Sequence, residues 1–412
     1  MNAPDTFFKR DFGDCGRNPN TYPESQSRDF DYKSGLVTGW KQVGSIASPI
    51  VPCYRGRMPK ESSVENVAPM PLRMGQAATI AAIVVSLLFI SSASLSQTTE
   101  NLPAQLSDSE FWKMVSEFSE PHGFYQYNVV TSNEVSYQYV VPNLIKRGRF
   151  GGVYLGVGPE QNFTYIAAIQ PKIAFIFDIR RDMLFIHLMY KSIFEMSADR
   201  VEFVSNLFSR KAPAHLTADS SVQDIFQAFA KSPADTTLAA DRLKQILNRL
   251  KTVHRFALTA QDEEGIRSIY MTFVREGVVY FDSSFLSPGY ARLMLLTDLA
   301  GKNWSFLASR ENYDRIRAMQ QKNLIVPLVG DFGGPKAIRA VGQYLKDRGA
   351  TVNAFYISNV EDYIGGKWPQ YISNLGSLPV EPSSTFIRWY IGGSPTLGSI
   401  AEFVRSSQRV RE

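Results

Sequence analysis

The chain has 412 residues, 44% hydrophobic and 20% charged, with a formal net charge of +5 from 44 basic and 39 acidic residues. This is ordinary globular composition with room for a large core, and it excludes collagen-like and fully disordered classes. The charge is too evenly balanced for a nucleic-acid binder, which needs basic residues clustered on one segment; the closest candidate, Lys146-Arg147-Gly148-Arg149, reads as a solvated loop. Both cysteines, Cys15 and Cys53, precede the body, which therefore has no disulfide framework, Cys-based zinc site or cysteine nucleophile.

Residues 1–69 are rich in Asn, Ser, Pro, Gly, Arg and Asp without apolar period, and read as disordered or as upstream sequence foreign to the mature protein. The next segment, 70–97, has a short basic lead with Arg73, an apolar run from Ala77 to Ile90 and a small-residue tail. That order predicts a secretory signal peptide starting at Met70, the run being short of the roughly 20 residues a bilayer crossing needs. With translation from Met1, the same run 77–90 becomes a signal anchor. Arg73 on one side and Glu100 and Asp108 on the other then place the body outside. The protein is thus expected to be exported or anchored, and cytoplasmic only if this segment is instead a buried helix.

The body, 100–412, opens with the capping-box pattern Ser107 to Glu110 and a helix to Glu117. Asn133 to Val141 predicts a short helix ending before Pro142. The apolar run before Gly156, a helix from about Glu160 to Ile169, and Lys172 to Asp178 form a strand–helix–strand unit. Ala198–Phe208 and most of Ser221–Leu258 carry helical periods, Ile266–Val274 another, and Gly277–Phe281 a short strand. Alternation returns with a strand at Asn323–Gly330, a helix from Pro335 to Arg348 and a strand at Val352–Ser358. The expected fold is α/β, a mostly parallel sheet with helices on both faces and a helical insertion at about 211–320.

The chemistry concentrates at Gly151 to Asp178. Gly156 is placed for positive φ at the turn after the first strand, and Gly158 leaves room for a ligand to approach the backbone. Asp178 ends the second strand 20 residues beyond Gly158, placed to accept hydrogen bonds from both hydroxyls of a ribose. Gln161 stands where a dinucleotide fingerprint has its third glycine, and Glu160 at the helix start repels phosphate. A nucleoside carrying a cationic group in place of phosphates tolerates that carboxylate.

The segment Tyr154-Leu155-Gly156-Val157-Gly158-Pro159-Glu160, with Phe177-Asp178 after it, resembles the first two cofactor motifs of Rossmann-like S-adenosylmethionine-dependent methyltransferases. That resemblance implies a glycine loop around the methionine moiety and a ribose-binding acid, here Gly156, Gly158 and Asp178. It makes Leu324–Asp331 the fourth strand, with Asp331 near the catalytic edge. This chain has Tyr154 where the superfamily usually has an acid. The wording from Gly151 to Ile166 also resembles an uncharacterised bacterial family, which implies no activity.

Asn359 and Glu361 follow a strand end and are expected, with Asp331, to bind an acceptor or exchange protons. Asp298 sits in a turn that could reach the same edge. Arg180 and Arg181 read as surface arginines. His122, His187, His215 and His254 have no metal-ligand spacing, no GxSxG elbow is present, and the sequon at Asn162 lies inside the expected loop. Two function classes stand. One is methyl transfer from S-adenosylmethionine to an unidentified acceptor, driven by proximity and orientation. The other is an exported non-catalytic binding or scaffold protein, since that cofactor is made in the cytoplasm. An NAD-type oxidoreductase is disfavoured by Gln161 and Glu160.

Overall fold

The computed structural model describes residues 100–125, 130–147, 150–278, 289–390 and 393–409. The expected extension 1–69, the leader 70–97 with its apolar run 77–90, and most of the strand expected at 277–281 lie outside the described residues. Among the described residues no helix is long and apolar enough to cross a membrane.

Helix α1 (Asp108–Phe118) starts at the capping box: Glu110 N–H donates to Ser107 Oγ at 3.2 Å, and Ser107 N–H to Glu110 Oε2 at 2.9 Å. A 3₁₀ turn, Tyr137–Val140, runs into α2 (Val141–Lys146). Pro142 thus begins a helix and does not end one, because its missing N–H falls in a first turn where no partner is needed. Strand β1 (Val153–Val157) runs through Gly156, past the expected end, and α3 (Gln161–Ile169) and β2 (Ile173–Asp178) follow as expected.

Helices α4 (Arg181–Met196), α5 (Arg200–Phe208), α6 (Val222–Lys231), α7 (Thr236–Asn248), α8 (Ala260–Glu276), α9 (Tyr290–Leu295) and α10 (Arg310–Gln321) fill the span before the next strand. The chain then gives β3 (Ile325–Val329), α11 (Ala337–Lys346), β4 (Val352–Ser358), α12 (Trp368–Gly376), β5 (Val380–Arg388), β6 (Thr396–Ser399) and α13 (Ile400–Arg409).

The six strands form one sheet in the order β3-β2-β1-β4-β5-β6, parallel except for the antiparallel β6. Residues 325–329 are therefore the third strand, beside β2 at the edge, and not the fourth; the fourth is β4, beside β1. Every residue of β2 and β3 is buried, as a sheet covered on both faces requires. Helices α3, α4 and α10 pack together on one side, and α1, α11, α12 and α13 form a second layer. The right-handed rule explains the split: α3 carries the chain from β1 toward β2, and α11 carries it the other way, from β3 to β4.

Candidate functional site

Because the chain leaves β1 for β2 on one side and enters β4 on the other, the loops after these strands part and leave a crevice at their carboxyl ends. A cleft of about 490 Å³ occupies it, within the size range of small-molecule sites. Its walls include Gly158, Pro159 and Gln161 after β1, Asp178 to Arg180 after β2, Asp331 and Phe332 after β3, and Ser358 to Val360 after β4. The segment Thr131–Glu134 closes one side, with Lys367 on the rim.

The glycine turn is built differently from the expectation. Gly156 lies inside β1 and is not in the left-handed region; Gly158, with φ of +79°, makes the turn. Gly156 does not line the cleft. A Cβ on it would meet Asn162 Oδ1 at 2.0 Å, so glycine is needed there to admit a side chain of the protein itself. Asn162 is fully buried and ties the turn: Nδ2 donates to the carbonyls of Val157, Gly158 and Pro159 at 2.9, 3.1 and 2.7 Å. Its Oδ1 accepts from Tyr154 Oη at 2.8 Å. Tyr154 is thus part of a buried tyrosine–asparagine brace. His187 Nε2 donates to the Gly158 carbonyl at 2.9 Å, and burial holds its imidazole down to about 4, hence neutral.

Asp178 reaches the cleft at the end of β2. Its Oδ1 accepts from the N–H of Arg180 at 2.8 Å and from Arg180 Nε at 3.3 Å. Burial pushes the carboxyl up, against the lowering effect of the arginine. Arg180 is buried in the cleft wall and is not a surface residue, whereas Arg181 turns to Asp262 of α8 at 2.8 Å.

Glu160 and Glu361 do not belong to the cleft. Glu160 is wholly buried and does not line it; its Oε1 accepts the N–H of Ser132 at 3.1 Å, and burial raises its carboxyl to about 7. It therefore neither repels phosphate nor meets a cationic ligand, and the first turn of the helix faces inward because the loop 131–134 folds over it. Glu361 accepts from Arg388 Nε and Nη2 at 2.7 and 3.0 Å and from Tyr371 Oη at 3.0 Å, a closed structural set. Asp331 and Asn359 do line the cleft. Asp331 is engaged by Lys367 Nζ at 2.5 Å and by the N–H of Gly333 at 2.9 Å. Asp298 closes its own turn, accepting from Trp304 Nε1 at 2.7 Å and from the N–H groups of Ala300 and Lys302.

Sequence reasoning missed Glu134. It is buried in the cleft wall, and its Oε1 accepts from Tyr356 Oη and, at 2.5 Å, from Ser358 Oγ. Gln161 Nε2 donates to Tyr356 Oη at 2.9 Å, so the segment 131–134, the start of α3 and the end of β4 share one polar chain. Glu134 Oε2 is buried with no hydrogen-bond partner among the described residues. Burial lifts its carboxyl to about 7, the hydrogen bonds of Ser358 and Tyr356 opposing. Ser358 is held at φ of +51°, an unfavourable conformation for serine that places its hydroxyl on Glu134. Among the described residues no group of three His, Cys, Asp or Glu is placed to hold a metal ion.

The fold and the cleft define an α/β protein with a pocket at the point where its sheet order reverses. Residues 129–400 match the family described as a domain of unknown function, DUF7790, and the chain belongs to that family. No curated protein matches it.

Proposed function

We propose that the domain is Rossmann-like and that its cleft binds a nucleoside ligand, S-adenosylmethionine foremost. One observation carries this reading: Gly158 and Asp178 line the same cleft at the carboxyl edge beside the β1/β4 parting. The residues fit such a group. Gly158 has open backbone, its Cβ position lying 3.5 Å from the end of Gln161 and nothing closer. Asp178 Oδ1 is bonded to Arg180, and Oδ2 has no hydrogen-bond partner among the described residues, which leaves an acceptor for a ribose hydroxyl. Gln161, whose Nε2 donates to Tyr356 Oη, stands where a dinucleotide fingerprint has its third glycine, which favours a ligand without a pyrophosphate.

When bound, S-adenosylmethionine supplies a methyl carbon made electrophilic by a sulfonium. Gly158 and Asp178 would hold the nucleoside end, and Asp331 and Asn359 the acceptor side, where orientation is the main contribution. Titration of the full chain with S-adenosylhomocysteine by calorimetry tests this. Binding is expected, and Asp178→Ala should weaken it by about 10- to 100-fold, the loss of hydrogen bonds to a charged acceptor. Absence of heat at high protein concentration rejects the ligand; unchanged affinity in the variant rejects the ribose role.

A second reading, an exported non-catalytic binding protein, is favoured by the engagement of Glu361 with Arg388 and of Asp331 with Lys367. Those two acids are already neutralised by partners. Localising a fusion with and without residues 70–97 separates the readings. Export dependent on that segment supports the second, and a cytosolic protein in both cases supports the first.

A further inference from the structure

Glu134 stands apart from the other acids of the cleft. Asp331 has Lys367, Asp178 has Arg180, and each is charge-compensated. Around Glu134 the titratable neighbours are Tyr154 of β1, Tyr165 of α3 and Tyr356 of β4, all held well above the usual tyrosine range by burial and hence uncharged. Its Oε1 is saturated by two hydroxyls, and its Oε2 has no hydrogen-bond partner among the described residues. A carboxylate so placed lacks a donor, and a carboxylic acid so placed lacks an acceptor; each state leaves one valence that a ligand in the cleft can complete.

We propose that Glu134 is the proton acceptor of the cleft, and that the cleft takes a small molecule bearing an O–H or N–H group set against Oε2. The ligand's O–H or N–H bond breaks with its electron pair staying on the heteroatom, the proton passes to Oε2, and the carboxyl becomes neutral. The heteroatom is then a stronger nucleophile, as transfer to it requires. This rests on the reading of the cleft as a small-molecule site, and it does not depend on the nucleoside being S-adenosylmethionine.

Glu160 provides an internal control, since burial raises it to the same value of about 7 but it does not line the cleft. The full chain is treated with dicyclohexylcarbodiimide at pH 6 and above, then mapped by peptide mass. This apolar reagent adds to protonated carboxyls: the acid's proton goes to a nitrogen, the oxygen to the central carbon, and the adduct rearranges to a stable N-acylurea. Labelling is expected at Glu134 and not at Glu160, absent in Glu134→Gln, and falling by roughly tenfold per pH unit above the transition. No label at Glu134 at pH 6, a label no greater than at Glu160, or a yield indifferent to pH overturns the proposal. The calorimetric titration with S-adenosylhomocysteine runs in parallel. Labelling without heat leaves Glu134 standing and removes that cofactor; heat without labelling does the reverse.

Discussion

At the level of single residues, burial decides what an acid can do. Glu134 and Glu160 both carry folded-state values of about 7 against 4.5 for a free side chain. Their contribution to stability is whole below pH 4.5 and is lost as the pH rises through 7. His187, depressed to about 4 from 6.5, acts the other way: its contribution is present above pH 6.5 and lost as the pH falls through 4. Glu160→Gln should therefore raise the thermal midpoint relative to wild type at about pH 8 and not at about pH 5. The ceiling is about 3 kcal/mol, and melting curves across that range check it. The glycines divide by the same kind of argument. Gly156→Ala should destabilise by about 1–3 kcal/mol, because the new Cβ displaces Asn162 and its brace. Gly158→Ala should cost only about 1 kcal/mol for positive φ while reducing ligand affinity; urea denaturation with calorimetry separates the two. Local pattern brought Gly158, Asp178, Asp331 and Asn359 correctly to the strand ends. It misjudged Gly156, Glu160 and Glu361, whose contacts are made with residues distant in the chain or with side chains it could not orient. Around Glu134 the local signal is inverted: Thr131, Ser132 and Glu134 are buried while Val135 is exposed.

At the level of elements, most helices and strands announce themselves by cap and period. The capping boxes at Ser107 and Thr259, the Asp199 cap and the buried apolar strands all have local causes. The start of α11 does not. Its amides at Lys336 and Ala337 both donate to Glu120 Oε1 at 2.7 Å, and Asp331 N–H donates to Oε2 at 3.1 Å. Glu120 thus caps a helix more than 200 positions away, and Gly334 is glycine because that carboxylate lies against it. A carboxylate on helix amides is stabilised by the dipole as well as by its hydrogen bonds. Glu120→Ala should lower stability by about 2–3 kcal/mol, and the amides of 336–337 should lose hydrogen-exchange protection first. Protection unchanged there would show that water replaces the cap without loss. The loop carrying Asp331 into the cleft is fixed by this contact, so a weaker ligand affinity is expected in the same variant.

Across the whole molecule, the helical span between β2 and β3 is fastened to the body by side-chain hydrogen bonds as well as by its apolar core. His254, after α7, meets Asp108 of α1 at 2.9 Å through Nδ1 and Glu195 of α4 at 2.7 Å through Nε2. Lys191 completes the cluster on Glu195 at 2.6 Å. His254→Ala removes a partner from two carboxylates and should cost about 1–3 kcal/mol, read as a lower urea midpoint with the cleft's ligand affinity unchanged. The sequence by itself determined the alternation of strands and helices, a glycine turn after the first strand and the strand-end acid Asp178. Each of these is written within a few residues, in period, cap or φ preference. Only the tertiary structure decided the strand order, the place of residues 325–329 at the sheet edge, and the assembly of Glu134, Tyr356 and Ser358 on one wall. Those depend on which buried faces meet, and a contact spanning more than 200 residues leaves no trace in the local pattern of either end. The glycine turn is therefore a position that the sequence marks, while the proton-bearing group beside it is one that only packing creates.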